Sequence, residues 1–253
     1  MSMTELRFKK AIDLKRSLTP LTSLAQTATV IYSADAVSLL VTIPDGHVIA
    51  ALRILSTEFD HFCCRDSAAT GFDIGWLYRC LHFFSNDNLS VTIGAVDDDG
   101  GKFQVVMQNT GIAVPYIFFN MRLIQPNDEH ITFENQERKY DVKVGIPTAN
   151  FREMIARLAQ RLTGTIVVTI TSSEVTFGVI CVYCVLLQDI FDCVIEGDTY
   201  KSPMHLHIRL NDLISIGEGI VLSEMVWIYG SRSAPPMMNC LVPPIGELMY
   251  YFV

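Results

Sequence analysis

The sequence lacks an apolar segment long enough to cross a membrane. Its longest apolar run, Val175 to Leu187, contains Thr176, Gly178 and Tyr183 and falls short of the roughly 20 residues that a spanning helix needs. The first ten residues are rich in polar and charged side chains and have no apolar centre, so they do not read as a signal peptide. We therefore expect a soluble, intracellular protein with no membrane partner.

Basic residues are also in the minority. The 253 residues include 19 lysines and arginines against 27 aspartates and glutamates, which gives a net charge of -8. This balance argues against a generally basic nucleic-acid binder, but it leaves open a basic face on part of the molecule. Because 50% of the residues are hydrophobic and only 18% are charged, the chain can bury the core of one large domain or of two small ones.

Cysteines at a convincing metal-binding spacing are missing as well. The seven cysteines lie mostly inside apolar strings, as buried reduced thiols do. Cys181 and Cys184 have the spacing of a redox or metal motif, but on a strand residues three apart point to opposite faces. We expect no metal and no cofactor.

In the first half of the sequence, strand patterns alternate with helix patterns. Apolar residues at helical spacing predict two helices, with stripes formed by Leu14, Leu18 and Leu21 and by Ile74, Leu77 and Leu81. Pro20 is expected to break or kink the first helix. Asp73 is the expected N-cap of the second, which extends to Phe84. The predicted strands are 6–8, 27–33, 37–43, 48–56, 59–65 and 116–124, with a hairpin turn at 97–101.

The same order of elements returns in the second half. The predicted strands are 140–146, 165–171, 175–177, 225–229, 237–242 and 248–253, with helices at 147–162 and 211–223. The helical stripes are Phe151, Ile155, Leu158 and Leu162, then Leu213, Ile216 and Ile220. Two copies of a β-α-β-β-β-α-β-β unit predict an α+β fold of two repeated domains.

A polar segment separates the two halves. Pro126, Asn127 and Asp128 are turn formers, and the two apolar residues that follow, Ile131 and Phe133, share a face if the segment is extended. We predict an N-terminal domain over 1–124, a linker over 125–139 that also serves as a docking surface, and a C-terminal domain over 140–253. An ordinary surface loop is the alternative for the linker.

Several short motifs carry a family resemblance. Residues 140–147 read Tyr-Asp-Val-Lys-Val-Gly-Ile-Pro and precede a helix with Asn-Phe-Arg-Glu, residues 45–48 read Asp-Gly-His-Val, and 246–253 read Gly-Glu-Leu-Met-Tyr-Tyr-Phe-Val. In order, they resemble the eukaryotic and archaeal DNA sliding clamps, the proliferating cell nuclear antigen family. The resemblance implies a nuclear, non-enzymatic processivity factor whose clamp-type domains place helices on the inner face of a ring and antiparallel sheets outside.

The resemblance implies that the helices carry the charge that faces double-stranded DNA. The basic residues on predicted helices are Lys15, Arg16, Arg79, His82, Arg152, Arg157 and Arg161. A lining of this kind contacts phosphates without reading sequence, whereas each residue taken alone could equally serve a solvated helix face. The fourth helix departs from the family pattern, because it has no basic residue and Gly217 and Gly219 weaken it.

Two predicted strands, 116–123 and 181–188, are apolar on both faces. An unpaired edge of that kind is an aggregation hazard, and the resemblance implies that the two edges pair between neighbouring chains. Head-to-tail contacts that close give a ring, in this family a homotrimer. The interface candidates are Tyr116, Phe118, Phe119, Met121, Tyr183, Val185 and Leu187. The alternative is that both strands are central in their own sheets.

The resemblance also implies protein partners. DNA polymerase, the clamp loader and other clients of such clamps insert a short motif with aliphatic and aromatic anchors near the linker. The matching positions are Ile43, His47, Val48, Ile131, Phe133, Pro235, Tyr251 and Val253. For Ile43 and Val48, plain core packing is an equally good interpretation.

Two other classes of function stay open. An enzyme would have to use His205 and His207, which share a strand face, or the carboxylates of Asp97 to Asp99, and no third ligand stands at motif spacing. Gly217-Glu-Gly219 lacks the lysine of a phosphate-binding loop. The closer alternative is a clamp-fold subunit of a damage-checkpoint hetero-ring, or a viral processivity factor in a viral replication compartment that is not a closed homotrimer.

Overall fold

The chain divides into two units in the computed structural model. The first unit comprises Met1–Pro44, Ala51–Gln136 and Val242–Glu247, and the second comprises Asp45–Ala50, Glu137–Leu241 and Leu248–Val253. The structure describes residues 4–64, 68–83, 89–95, 102–109, 117–134, 138–188, 192–197 and 202–253. The domain boundaries expected from the sequence, at 124 and 140, stay predictions.

The described residues of the first unit form nine strands and three helices. They are β1 (Thr4–Phe8), α1 (Ala11–Leu24), β2 (Thr27–Tyr32), β3 (Ala36–Thr42), β4 (Val48–Leu55, of which 48–50 belong to the second unit), β5 (His61–Cys64), β6 (Ala68–Asp73), α2 (Ile74–Phe83), β7 (Leu89–Ala95), β8 (Lys102–Asn109), β9 (Ile117–Arg122) and α3 (Asp128–Glu134). A single 3-10 turn, Ser56–Glu58, precedes β5. The strands lie in the orders β5-β1-β7-β8-β9 and β4-β3-β2-β6.

The second unit repeats this plan. Its elements are β10 (Val142–Pro147), α4 (Thr148–Ala159), β11 (Thr165–Ile170), β12 (Glu174–Val179), β13 (Val182–Leu187), β14 (Val194–Gly197), β15 (Met204–Arg209), α5 (Leu210–Ser215), α6 (Gly217–Ile220), β16 (Met225–Gly230), β17 (Met237–Val242) and β18 (Gly246–Phe252, of which 246–247 belong to the first unit). The strand orders are β14-β10-β16-β17-β18 and β13-β12-β11-β15. Matching β10 to β1 and continuing along the chain makes both pairs of orders identical, so the predicted repeat and its α+β class are confirmed.

The helices form where apolar stripes meet the sheets. Leu14, Leu18 and Leu21 of α1 are at most 2% exposed, and the predicted stripe of α2 is buried in the same way. In α4 Phe151, Ile155 and Leu158 are buried, whereas Leu162 is half-buried and lies beyond the helix end. Full burial of one such side chain contributes about 2 kcal/mol. The predicted N-cap of α2 is confirmed, because the backbone N–H of Trp76 donates to the Asp73 Oδ1 atom at 2.7 Å.

The expected break at Pro20 is wrong. Helix α1 runs through this proline to Leu24, and the proline ring is buried with the apolar stripe. Proline removes only its own N–H from the helical ladder. The burial of Leu18, Leu21 and Leu24 on the same face outweighs that loss.

The fourth helix is two short helices instead of one. Helix α5 ends at Ser215 and α6 covers only Gly217–Ile220. Tyr250, which is fully buried, places its hydroxyl against Gly219, where a Cβ atom would overlap it. Glycine is therefore required at 219, although it weakens the helix.

The linker contains a helix, whereas Ile131 and Phe133 would share a face only in an extended segment. Residues 128–134 form helix α3, so Ile131 and Phe133 lie on different faces, because residues two apart differ by about 200° around a helix. Asn127 starts the helix by accepting the N–H of Glu129 on its side-chain oxygen at 2.9 Å. Acidic residues in the first turn add favourable charge at the helix N-terminus.

Two strands, β6 and β14, are absent from the sequence-based assignment. Both are short, and β6 contains Gly71 where a neighbouring backbone comes close, since a Cβ atom there would lie 2.7 Å from the Gln125 carbonyl oxygen. None of the described helices is both long and apolar enough to cross a membrane.

Candidate functional site

The first unit presents basic side chains on two helices that pack together. The Lys15 ammonium of α1 lies 6.0 Å from the centre of the Tyr78 ring on α2, and Tyr78 stacks on His82 at 6.3 Å. Arg16 and Arg79 are exposed, and Arg79 lies 3.8 Å from Asp73. The structure therefore brings these four predicted residues to one helix pair, with Tyr78 between two of them. Sequence analysis missed Tyr78, although its spacing of four from His82 was a usable signal.

In the second unit the basic residues predicted for the helices lie on α4 or just beyond it. Arg152 and Arg157 are exposed on the helix, and Arg157 pairs with Glu153 one turn earlier. Arg161 was expected on this helix but lies beyond its end at Ala159, in a turn where its backbone N–H donates to the Leu158 carbonyl at 3.0 Å. Within the described parts of the chain, Arg152 and Arg161 make no ion pair.

Helices α5 and α6 contribute no positive charge to this surface. Ile214 on α5 and Glu218 on α6 are exposed, and so is Val221 directly after α6; Ile214 and Val221 are each 48% exposed. Asp212 is buried and accepts two hydrogen bonds from the Arg209 guanidinium, at 2.9 and 3.0 Å. That bidentate pair holds the start of α5 on β15 and leaves Arg209 engaged within the unit.

Strands β9 and β13 each lie at the end of a strand order, so in the described structure each has one unpaired edge. They share the same alternation of half-buried and exposed residues along six positions. Phe118 is 57% exposed on β9, and Tyr183 is 59% exposed on β13, where Val185 and Leu187 are exposed as well. Such edges are open to pairing with another chain.

Two predicted interface residues on β9 have a different setting. Met121 is 4% exposed, so it packs within its own unit and has only backbone groups to offer a neighbour. Phe119 is half-buried and packs edge-to-face on Trp76 with centroids 6.0 Å apart. Tyr116 lies outside the described residues.

The linker helix is held to its own unit at three places. Gly71 and Ile124 exchange backbone hydrogen bonds of 3.0 and 2.8 Å, and the Asn127 N–H donates to Thr29 Oγ1 at 2.9 Å. His130, 5% exposed, hydrogen-bonds through Nε2 to Thr42, while its Nδ1 atom has no partner in the described structure. Burial lowers the pKa of His130 below its usual value.

The predicted client-binding residues differ in their accessibility. In the first unit Ile43 and Ile131 are half-buried, while Phe133 is 8% exposed. Ile43 directly follows Thr42, which is hydrogen-bonded to His130. In the second unit the Val253 N–H donates to the carbonyl of His47 at 2.9 Å, and both residues have exposed side chains.

The remaining client-binding candidates, all in the second unit, are more enclosed. Pro235 is half-buried, and Val48 has no exposed surface. Tyr251, 6% exposed, donates its hydroxyl hydrogen to the Met249 sulfur at 3.2 Å. Arg138, which sequence analysis did not select, places its guanidinium 4.9 Å from the centre of the Tyr251 ring.

The comparison with known families places these surfaces in context. The family model "Proliferating cell nuclear antigen, N-terminal domain" matches residues 3–130, half of the 253-residue chain. This chain belongs to the proliferating cell nuclear antigen family. Proteins of this family are DNA sliding clamps, non-enzymatic processivity factors of replication and repair that are typically nuclear and have DNA and DNA polymerases as partners.

The residues weighed for an enzyme take ordinary positions in this clamp family member. His205 and His207 are exposed on β15, and His205 lies 3.1 Å from Thr169 Oγ1. Cys181 is exposed in the turn before β13, while Cys184 lies on the strand. Asp97 to Asp99 fall outside the described residues. Among the residues that are described, no three histidine, cysteine or acidic side chains are grouped to hold a metal ion.

Proposed function

We propose that this chain is a DNA sliding clamp that closes into a homotrimeric ring and encircles duplex DNA. In this proposal the ring tethers DNA polymerase and other replication and repair proteins, and a clamp loader opens it. The observation that carries the proposal is the pair of apolar edges on β9 and β13 in a chain whose N-terminal half matches the clamp family. The nucleus is its proposed place of action.

The ring follows from the character of these two edges. Exposed Phe118 on β9 and exposed Tyr183 and Val185 on β13 would leave water if one chain's β9 paired with the next chain's β13. By contrast β15, another terminal strand, exposes His205 and His207. Because β9 and β13 are different surfaces, the contact is head-to-tail, and such contacts close into rings when the rotation allows.

The basic residues on the helices support the proposal that they line the ring and contact DNA. Lys15, Arg16, Arg79 and His82 in the first unit, and Arg152 and Arg157 in the second, lie on helix surfaces, and basic side chains of this kind contact phosphates. Contacts of this kind bind phosphates in a salt-dependent and sequence-independent manner. Arg161 extends the set from the turn after α4.

The experiment that tests encirclement uses linear duplex DNA and needs no loader. Protein is added either before or after both DNA ends are blocked with streptavidin, and each sample is then washed at high salt. A ring that threads over free ends is retained only when the ends are blocked afterwards. Reversal of Arg79 and Arg157 to glutamate is expected to weaken DNA association and to flatten its salt dependence. Equal retention in both orders of addition contradicts encirclement.

The client site is proposed at the linker and the C-terminus. Of the candidate residues, Ile43, Ile131, Pro235 and Val253 are partly or largely exposed, while Val48, Phe133 and Tyr251 are buried. Replacing Phe133 and Tyr251 by alanine is expected to abolish binding of an aromatic-anchored client peptide in calorimetry and to leave the oligomer intact. Wild-type peptide affinity in that variant would remove the assignment.

One observation favours a second candidate. Helices α5 and α6 lack basic residues, and Ile214 on α5 and Val221 directly after α6 are exposed, which suits a subunit that shares its DNA contacts with different neighbours. In that case the chain would be a subunit of a hetero-ring or a viral processivity factor, and it would not form a homotrimer. A chain that stays single in solution and trimerises only with other proteins would support this alternative.

A further inference from the structure

The second unit carries a groove that none of the functions proposed above uses. Three neighbouring strands form it, because Lys143 on β10 lies opposite Glu196 on β14 and opposite Tyr229 on β16. Tyr140, just before β10, packs edge-to-face on Tyr229 with ring centroids 5.5 Å apart. The cavity there measures ≈ 340 Å³, which lies within the range of ligand-binding pockets.

Trp227 lies beside this groove, two residues before Tyr229 on β16. It lies opposite Gly145 on β10, and a Cβ atom at that glycine would approach its indole ring to 2.7 Å. The Lys143 ammonium lies 5.0 Å from the Trp227 ring centre and 2.8 Å from the Glu196 carboxylate. The hydrogen bond to Glu196 raises the pKa of Lys143. The groove thus already holds one cation of its own chain between an aromatic face and a carboxylate.

The charges that line the cavity favour a second cation. Lys143 is matched by Glu196, and Asp141 adds a further carboxylate to the lining. One oxygen of Asp141 accepts the backbone N–H of Arg232 at 3.1 Å, while the Arg232 guanidinium donates to Ser202. In the described parts of the chain Asp141 makes no ion pair, so the lining keeps one unmatched negative charge.

The groove also lies beside an open sheet edge. Strand β14 ends its strand order, so within the described residues its outer backbone groups have no partner strand. An extended segment that paired with β14 would place every second side chain on the face that carries Glu196. A long side chain of this kind would extend over Glu196 toward Asp141 and Tyr140, which directly precede β10, the strand next to β14.

We propose that this groove, lined by Tyr140, Asp141, Lys143, Glu196 and Tyr229, binds an arginine side chain of an extended segment in a partner protein. A guanidinium is planar, permanently charged and suited to stacking on aromatic rings, whereas an ammonium is more strongly hydrated. The tyrosines supply the stacking surface and Asp141 the compensating charge. The assignment depends on the second unit alone and is independent of ring formation.

The test uses the fluorescence of Trp227. The chain has 2 tryptophans, so the Trp76→Phe variant leaves Trp227 as the only one. It is titrated with an acetylated and amidated pentapeptide that has a central arginine between valines. The same peptide with citrulline keeps the shape and removes the charge. We expect a saturable change with the arginine peptide and about tenfold weaker binding of the citrulline peptide. Equal binding of both peptides, or no saturable change, overturns the proposal.

Substitutions in the groove locate the binding. Asp141→Asn, at an exposed position, is expected to weaken the arginine peptide about threefold, and Tyr229→Ala about fivefold. Tyr229→Phe keeps the ring and should bind like the starting variant, as should the control Glu218→Gln on α6. Circular dichroism checks that each variant is folded. If Asp141→Asn and Tyr229→Ala both bind the arginine peptide with unchanged affinity, the arginine assignment is wrong.

Discussion

The two units share a strand order but differ in their helices. In the first unit α1 and α2 are continuous and both carry exposed basic residues, among them Arg16 and Arg79. In the second unit α4 is basic, whereas the pair α5 and α6 is interrupted and exposes Ile214 instead. Both units keep buried apolar stripes. The repeat therefore preserves what packs the core, while the solvent-facing side of the helices has changed.

The two tryptophans allow each unit to be followed separately. Trp76 lies in the first unit and Trp227 in the second, so variants that keep only one of them report on one unit during chemical unfolding. The first three predictions below are free energies of unfolding measured in this way, and the fourth is a DNA affinity.

The largest expected effect on the free energy of unfolding is at Gly219 in α6. Gly219→Ala places a Cβ atom on the Tyr250 hydroxyl, and we expect it to destabilise the second unit by about 2 kcal/mol. Gly217→Ala is the matched control, because a Cβ atom at that position would meet no other atom within 4 Å, and it should stabilise the helix by up to about 1 kcal/mol. Equal effects of the two changes would show that the Tyr250 hydroxyl does not require glycine at 219.

A second difference between the units is a buried histidine in the first. Because burial lowers the pKa of His130, the unfolded chain binds more protons below the ordinary histidine pKa, and stability is lost as the pH falls through that value. The slope for one proton is at most about 1.4 kcal/mol per pH unit. His130→Gln should flatten the pH dependence reported by Trp76, while His207→Gln, at an exposed position of the second unit, should leave it unchanged. An unaltered slope in His130→Gln would contradict this assignment.

Each unit also buries a tyrosine in its core, and the two hydroxyl groups differ in their hydrogen bonding. The Tyr32 hydroxyl lies 3.5 Å from Thr70 Oγ1, whereas the Tyr250 hydroxyl has no hydrogen-bond partner in the described structure. Burial raises the pKa of both phenols. Tyr250→Phe should therefore stabilise the second unit by about 1 kcal/mol, and Tyr32→Phe should destabilise the first by a smaller amount. Destabilisation by Tyr250→Phe would point to a partner for its hydroxyl.

The smallest expected effect is on DNA affinity, in a variant that adds positive charge to α5 and α6 of the second unit. Asn211→Lys with Glu218→Lys places two cations on exposed positions of α5 and α6. If these helices face DNA, the variant should bind duplex DNA several-fold more tightly at low salt, and its salt dependence should steepen by about one counterion per new phosphate contact. Lysines at Ser172 and Ser173, in an exposed turn of the same unit, are the control. Identical gains in the two variants would mean that net charge alone is responsible.

Sequence patterns predicted those parts of the fold that local periodicity determines. The stripes of α1, α2 and α4 were found because buried residues recur every three or four positions, and the cap at Asp73 because it directly precedes its stripe. The linker helix was missed because Pro126 to Asp128 were interpreted as a turn. The same residues are a helix start, with Asn127 as the cap.

Other features depend on residues far apart in the chain and could not be predicted from local patterns. The glycine at 219 is required by Tyr250, about thirty positions later. The aromatic groove depends on the register of β10 with β14 and β16, which brings Lys143 between Glu196 and Tyr229. Edge strands likewise become visible only when the strand order is known. Phe118 and Tyr183 were named as interface candidates because the family resemblance implies subunit contacts at their strands, which the apolar strand pattern alone does not establish.

The measurement that tests the central claim most directly is the mass of the purified chain in solution by light scattering. We expect three times the chain mass of 28.3 kDa, a fall to the single-chain mass for Val185→Lys on β13 or Phe118→Lys on β9, and no change for Leu241→Lys, which is equally exposed on β17. A single-chain mass for the unaltered protein, or trimers that persist in both edge variants, would contradict a ring closed through these two strands.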